Sequence, residues 1–450
     1  MSDITIASFL FGGSEKIKTP PLGPLYLTAN LRKHGYQVDF RDYQLHDTKN
    51  FFKIKNIVSF LNNSAEVIGI STMTNFLAFV LLALKEVKRK YPRKTIILGG
   101  VGTAGVERLL LRHFPFIDVI VIGEGEAAIV EILNALSSKG SLTGIAGIVF
   151  RKNGKIEVNR RSGFLEDLSQ LPPPYDKSIN LKAYDKISML SGRGCFFNCT
   201  FCEVPAVFGR KIRFRKIDEI VDEILSIYKR IENKDRTPMV CLFDDTLIAN
   251  RRRLLFFCSA LKKKRLKYLK WSCYGRVNMM DEKLMKAMSK SGCRRIYYGV
   301  ESGSDRILRK IHKGFTSLRA RTVIVNSKKY FPEVVASLIF GFPFESFADF
   351  QQTILLYFYF LRQEINVQLH RLTPFILTPI YKNYCHRLGF SGEFLSDLTW
   401  QSSLKEIPPS ALRLIRRYPD IFSGFYHFYS PDLQRKELYL RKICRNIKSL

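Results

Sequence analysis

Short apolar runs alternate with stretches of helical periodicity through the first 160 residues. The runs at 4–9, 37–42, 67–72, 95–98, 119–122 and 145–150 read as buried strands. The stretches at 25–34, 77–91, 105–113 and 127–136 read as helices. This alternation predicts an α/β domain over residues 1–165, a doubly wound, Rossmann-like sheet with helices on both faces. Turn residues gather at the strand ends, where such sheets bind ligands: Pro21-Leu22-Gly23, Ser71-Thr72-Met73, Gly99-Gly100 and Gly123-Glu124-Gly125-Glu126. Glycine at a strand end lets the backbone pass close to a bulky planar ligand or a phosphate.

Residues 166–185, with three consecutive prolines at 172–174, read as an extended linker, because consecutive prolines favour polyproline geometry and forbid helix. A second β/α series occupies 186–375, with strands expected at 186–190, 239–243, 269–274, 295–300, 333–340 and 367–372. Six parallel strands with intervening helices predict a partial (β/α)6 barrel of TIM type, whose reactive residues belong on the carboxyl-end loops. Residues 376–450 form a small, mostly helical C-terminal region. Its aromatic run at 422–429 is expected to pack on the barrel or to cap the active site.

The chain has 450 residues and 46% apolar content, enough for two or three domains with real cores. Its longest apolar runs are about half the ~20 residues of a membrane span, and its start lacks the basic region of an export signal. Nine cysteines without a paired pattern fit free thiols in a reducing, cytoplasmic setting. The formal charge of +32 is spread over all three parts of the chain. One block, 251–270, carries nine basic residues and no acid. Its apolar positions recur at helical spacing, so it reads as an amphipathic helix with a solvated basic face, or as a peripheral docking face for an anionic surface.

The candidate chemistry lies in Cys195, Cys199 and Cys202, a CxxxCxxC triplet. Three thiolates in eight residues can hold three irons of a four-iron four-sulfur cluster and leave the fourth iron open. Zinc usually takes four ligands, and no cysteine or histidine lies between Cys202 and Cys241 to complete such a set. The other six cysteines, Cys444 among them, are scattered singly and read as ordinary thiols.

The triplet, with Phe201 before its last cysteine, resembles the signature of the radical S-adenosylmethionine (radical SAM) enzymes. The resemblance implies that S-adenosylmethionine chelates the open iron and that its reductive cleavage gives a 5'-deoxyadenosyl radical. It also implies an external electron donor such as flavodoxin or ferredoxin. Downstream, Phe243-Asp244-Asp245-Thr246, Trp271 to Arg276, Gly299 to Ser302 and Gly341 to Glu345 follow in the order seen in the cobalamin-associated subgroup. The resemblance implies S-adenosylmethionine contacts at Phe201, Asp244, Asp245, Arg276, Glu301, Gly341 and Pro343. A carboxylate can accept from the ammonium, and an arginine can grip the methionine carboxylate. The glycine-edged turns of residues 1–165 resemble that subgroup's cobalamin-binding domain, implying cobalamin contacts at Pro21, Leu22, Gly23, Ser71, Thr72, Met73, Gly99, Gly100, Gly123, Glu124, Gly125 and Glu126. The chain departs from the cobalt-ligating Asp-x-His-x-x-Gly motif of many cobalamin proteins: after Asp42, the histidine, His46, is out of register. That departure implies cobalamin without a lower histidine ligand, or a domain that has lost the cofactor.

The resemblance implies cobalamin-dependent radical methylation of an unactivated carbon, with radical cyclisation, rearrangement or carbon–carbon coupling as the alternative. A non-catalytic iron–sulfur protein that binds RNA or an anionic membrane is the third reading. Methylthiotransferases use a second cluster on three amino-terminal cysteines, and none precedes Cys195. The substrate class is open, with anionic small molecules compatible with the charge.

Overall fold

The computed structural model describes residues 2–9, 17–46, 50–231, 238–266, 268–390, 407–430 and 432–448. Lys267 of the basic block and the side chain of Cys444 lie outside the described residues.

The first sheet has seven strands: β1 (Ile4–Phe9), β2 (Val38–Asp42), β3 (Val67–Thr72), β4 (Thr95–Gly99), β5 (Val119–Val121), β6 (Ile148–Lys152) and β7 (Lys155–Asn159). Their order is β2-β1-β3-β4-β5-β6-β7. The first five are parallel and the last two antiparallel. β1 is buried along its whole length because both faces are covered. Ile4 and Ile6 pack with Leu31 and Ile129 of the helices Leu22–Lys33 and Glu126–Ser137. Ala7 and Phe9 pack with Phe76 and Val80 of the helix Thr74–Lys90. Two elements were not read from the sequence. One is the short helix Ile54–Phe60, and the other is β7, which pairs with β6 through a hairpin. The hairpin turns at Asn153-Gly154, both with positive φ, a conformation that this residue pair favours.

The second sheet is built from β8 (Lys186–Met189), β11 (Met239–Leu242), β12 (Trp271–Gly275), β13 (Cys293–Glu301), β14 (Glu333–Phe340) and β15 (Asn366–Arg371). Between β8 and β11, the short strands β9 (Gly192–Arg193) and β10 (Arg213–Phe214) form an antiparallel ladder that brackets the cysteine loop. The six-stranded sheet is parallel throughout, in the order β15-β14-β13-β12-β11-β8. This is the expected arrangement of an open barrel. On β13, Ile296, Tyr298 and Val300 are fully buried against the helical layer, whereas Tyr297 and Gly299 on the other face are only half-buried.

Residues 166–185 are bound down at several points. Tyr175 Oη donates to the Ser188 carbonyl, Arg230 donates to the Tyr175 and Ile179 carbonyls at 2.8 and 2.7 Å, and Tyr184 Oη donates to Asp42 at 2.9 Å. The aromatic run packs on the barrel, as expected, through Phe428, which joins Ile307, Phe342 and Leu372. It also reaches the amino-terminal domain: Phe422, Phe425 and Tyr426 pack with Ile407, Ala411 and Ile415 into that domain's core. Gly424 makes this approach possible, since a Cβ there would lie 2.4 Å from Thr74. The last helix, Leu433–Lys448, returns to the barrel, where Leu433 packs on Phe340, Phe350 and Ile354. The C-terminal region therefore ties the two sheets together.

Candidate functional site

The parallel strands of the first sheet end on a cleft with about 1560 Å³ of empty space, part of it open to solvent. All twelve residues that the turn motifs singled out line this one cleft. They converge because β1, β3, β4 and β5 are parallel, so their carboxyl-end turns lie side by side. Gly100 and Gly123 hold positive φ of 89° and 74° there. A Cβ at Gly100 would come within 2.7 Å of the Thr72 carbonyl, whereas one at Gly23 would meet nothing within 4 Å. Among the described residues, no histidine lines the cleft. His46 stacks on Tyr43, ring centroids 5.7 Å apart, beside the edge of Phe60. The in-register residue, Gln44, is tied to Asp42 and donates to the Thr19 carbonyl at 3.1 Å. The walls fit a large, mostly apolar, flat group held by backbone and glycine edges, with no imidazole offered to its centre.

The cleft does not stop at the first sheet. Leu190, Arg193, Val207, Phe208, Phe243 and Asp245 of the second domain form its far wall. Glu124 and Glu126 also do more than line it. Arg193 donates to Glu124 at 3.1 Å and to Glu126 at 2.6 Å, and Arg213 donates to Glu124 at 2.8 and 2.9 Å. Burial alone would raise the Glu124 carboxyl, but the two guanidiniums hold it below the ordinary range.

Arg193 leads directly into the cysteine loop. Cys195, Cys199 and Cys202 are free and partly exposed. The loop is fixed by its backbone: Cys195 N donates to the Gly209 carbonyl at 3.1 Å and Thr200 N to the Ile311 carbonyl at 3.3 Å. Burial first, then the neighbouring thiols, pushes Cys202 up to about 12. Free thiols crowded in this way suit iron, which takes them as thiolates and neutralises the charge. Cys241, Cys258, Cys273 and Cys293 are buried in the fold, Cys273 and Cys293 beside one another and Cys258 near them.

The residues expected to hold S-adenosylmethionine divide into two groups. Arg276, Glu301 and Phe201 meet around one side chain that was not read from the sequence, Lys313. Its ammonium pairs with Glu301 at 3.0 Å and lies 5.8 Å from the centre of the Phe201 ring, and its carbonyl accepts from Arg276 at 2.5 Å. Arg276 also reaches Cys199 Sγ at 3.5 Å and lies flat over Phe197 at 3.5 Å. Glu301 sits at the end of β13 with φ of 75°, a conformation that costs a non-glycine residue and is retained where the surroundings hold it. The signal for Lys313 was local: the turn Lys310 to Gly314 directly follows a short helix and must return toward the strand that carries Glu301. The carboxylates form the second group. Asp244 is turned inward and accepts from the backbone and hydroxyl of Ser191, while Asp245 accepts from Gly194 N at 2.8 Å and faces the cleft. Gly341, with φ of 86°, donates to Glu345 at 2.8 Å, and Pro343 is buried beside it.

Comparison with known proteins agrees with this geometry. Residues 12–133 match the family model of the B12 binding domain, and residues 189–357 match that of the radical SAM superfamily. An uncharacterized methyltransferase of Pyrococcus horikoshii is 29% identical over 343 residues, 74% of this chain and 72% of the relative. An anaerobic magnesium-protoporphyrin IX monomethyl ester cyclase of Cereibacter sphaeroides is 25% identical over 82% of this chain, which spans only 61% of that relative. Among solved structures, the radical S-adenosylmethionine methyltransferase TsrM of Kitasatospora setae, with cobalamin and a 4Fe–4S cluster, superposes with a TM-score of 0.71 at 17% identity. That superposition covers 96% of this chain and 85% of TsrM. The cobalamin-dependent radical enzyme OxsB superposes with a TM-score of 0.70 at 18% identity, covering 97% of this chain and 65% of OxsB. The chain thus joins a B12 binding domain to a radical SAM domain, and this pairing calls for a 4Fe–4S cluster, S-adenosylmethionine and cobalamin as cofactors. No helix among the described residues is long and apolar enough to cross a membrane.

Proposed function

We propose, from this pairing of domains, that the chain methylates an unactivated carbon of a small-molecule substrate. One observation carries the reading: the glycine-edged cleft and the cysteine loop share a wall, because Arg193 and Asp245 line the cleft while flanking or hydrogen-bonding the loop. Whatever occupies the space beside that wall lies within reach of both cofactors. When bound, the cluster and S-adenosylmethionine supply a 5'-deoxyadenosyl radical, and methylcobalamin supplies the methyl group.

The chain's own residues bind, orient and shield. Cys195, Cys199 and Cys202 hold the cluster. Arg276 grips the methionine carboxylate, and Asp245 accepts from the amino group while Asp244 braces the turn that carries it. Glu301, held by Lys313, faces the ribose hydroxyls. Phe201, Gly341 and Pro343 wall the adenine. The twelve turn residues would cradle cobalamin, and among the described residues the cleft lining offers it no imidazole. We assign residues 1–165 to the cobalamin domain, 166–185 to the connection, 186–375 to the radical domain and 376–450 to the C-terminal region.

Electron delivery from an acidic flavodoxin or ferredoxin at the cysteine loop is supported by Phe196, 48% exposed, and by exposed Arg210, Lys211 and Lys310 nearby in sequence or contact. Contact of the helix Arg251–Lys263 and the residues after it with an anionic surface is supported by exposed Arg252, Lys262, Lys263, Lys264 and Arg265. Retention on phosphatidylserine vesicles that falls steeply with salt is the expected result, and no retention at low salt removes that contact. Free thiols and a reducible cluster support a cytoplasmic setting.

Anaerobic reconstitution, cofactor extraction and mass spectrometry of products test the main reading. Two molecules of S-adenosylmethionine consumed per product, with one methyl gained, is the expected result. One consumed with no methyl gained would replace methylation by cyclisation, rearrangement or coupling.

A further inference from the structure

The concave face of the second sheet carries the open surface of the barrel. In a closed barrel this face is filled by interdigitated side chains, but here Tyr274 is 41% exposed while the outward-facing residues of the neighbouring β13 are fully buried. Burial of part of the side chain raises the Tyr274 phenol.

Three aromatic rings cross that face in series. Phe243, which also lines the cobalamin cleft, lies 6.0 Å from Tyr274 between ring centroids, and Tyr274 lies 5.3 Å from Tyr297 with the rings edge to face. The row ends on β15 in a polar group. Tyr297 Oη donates to Gln368 Oε1 at 2.8 Å, and His370 Nε2 lies 3.2 Å from the same oxygen. An amide oxygen that takes both of these contacts fixes the side chain's orientation and turns the Gln368 NH2 group the other way, as a donor. Tyr297 stands four residues before Glu301 on β13, so the row passes under the Glu301–Lys313 pair at a depth of roughly 13 Å.

Exposed aromatic surface is best covered by another ring in an offset or edge-to-face arrangement. The row itself contains no charge, so it has nothing to repay the desolvation of a phosphate or a carboxylate. We propose that this row is the substrate floor, and that the substrate is a planar aromatic or conjugated ring bearing a hydrogen-bond acceptor. The ring lies along Tyr274 and Tyr297, its acceptor takes the Gln368 amide, and its opposite edge points at the cobalamin cleft past Phe243. This inference rests on the methylation reading for the place of the substrate and adds to it the substrate's chemical class. Tyr274, Tyr297 and Gln368 set specificity and take no part in bond making.

The test uses the full, reconstituted protein and three probes: 4-quinolone, a flat ring with a carbonyl; 1-decalone, an aliphatic ketone of similar size; and inorganic phosphate. Titration calorimetry is expected to show 4-quinolone bound at least tenfold more tightly than 1-decalone, with no phosphate competition. Tyr274→Leu and Gln368→Leu should each weaken 4-quinolone by roughly tenfold, and Tyr274→Phe should keep most of the affinity. Equal binding of the two ketones, failure of the quinolone to bind, or affinity unmoved by both leucine variants overturns the inference. Deoxyadenosine release and the cluster's visible absorption are measured on every variant. If these persist while ring preference is absent, the substrate class fails and the methylation reading stands; loss of methyl transfer by the unaltered enzyme is a separate failure.

Discussion

Arg193 Nη2 donates to Glu126 Oε1 at 2.6 Å across the seam between the two sheets. Both side chains are less than a tenth exposed. One partner stands two residues before Cys195, and the other stands in the last glycine-rich turn of the cleft. This ion pair, extended by Glu124 and Arg213, joins the cysteine loop to the cleft.

Removing one side of that group is expected to be costly, because two carboxylates would lose a buried counter-charge. Arg193→Met should lower unfolding stability by about 3–5 kcal/mol. Lys211→Met, which breaks an ion pair on side chains that are both more than half exposed, should cost no more than about 1 kcal/mol. Chemical denaturation of the two variants gives the comparison, and equal losses would remove the seam as a stabilising contact.

Gly23 offers a way to block the cleft without straining the fold, since the space around its Cβ position is empty. Gly23→Phe should retain the melting temperature within a few degrees and lose cobalamin binding by at least about tenfold. Cobalamin content after gel filtration reads the outcome. Full retention would mean that the corrin lies elsewhere.

Lys436 and Glu345 are both fully buried and pair at 3.0 Å, joining the last helix to the loop after β14. Glu345 in turn accepts from Gly341 N. Lys436→Met leaves Glu345 charged and unpaired and should cost about 3–5 kcal/mol, while Lys436→Met with Glu345→Gln should recover most of it. Failure of the double variant to recover would show that the lysine acts by packing alone.

Asp42 gives a pH signature. Burial raises its carboxyl from 3.8 to about 6 despite hydrogen bonds from Gln44 and Tyr184. The folded form then holds the proton more tightly than the unfolded chain. Its contribution to stability is full below pH 3.8 and is lost as pH rises through about 6, with an upper size of about 3 kcal/mol. Asp42→Asn should flatten the stability profile between pH 4 and 6. A profile with unchanged slope there would mean that the carboxyl is ionised in the fold.

Much of the site was legible because it is local. The spacing of Cys195, Cys199 and Cys202 and the order of the strand-end turns depend on neighbours in the chain. In the first domain, parallel strands must bring such turns together. Lys313 left only a weak local signal, the turn after a short helix, because its pairing with Glu301 depends on how the helix Asp305–Lys310 folds the chain back on the end of β13. The roles of Glu124 and Glu126 were read only in part: the motif marked the cleft, but the two arginines that bind them come from positions 193 and 213. Asp244 and Asp245 are adjacent in sequence, yet one is consumed by Ser191 and the other faces the cleft. Both follow the end of β11 at Leu242, where no strand alternation fixes their directions, and only the packed structure shows which faces where.

By itself the sequence determined the two α/β units, their order, the cluster loop and the glycine edges, because each is written in short-range periodicity, spacing and backbone freedom. Tertiary structure alone decided that the cleft is closed by residues of both domains, that the aromatic run of the C-terminal region divides between the first domain and the barrel, and that Phe243, Tyr274, Tyr297 and Gln368 form one row. These relationships join residues from 23 to several hundred positions apart. They arise from the curvature of a parallel sheet and from burial of apolar surface, neither of which any local pattern encodes.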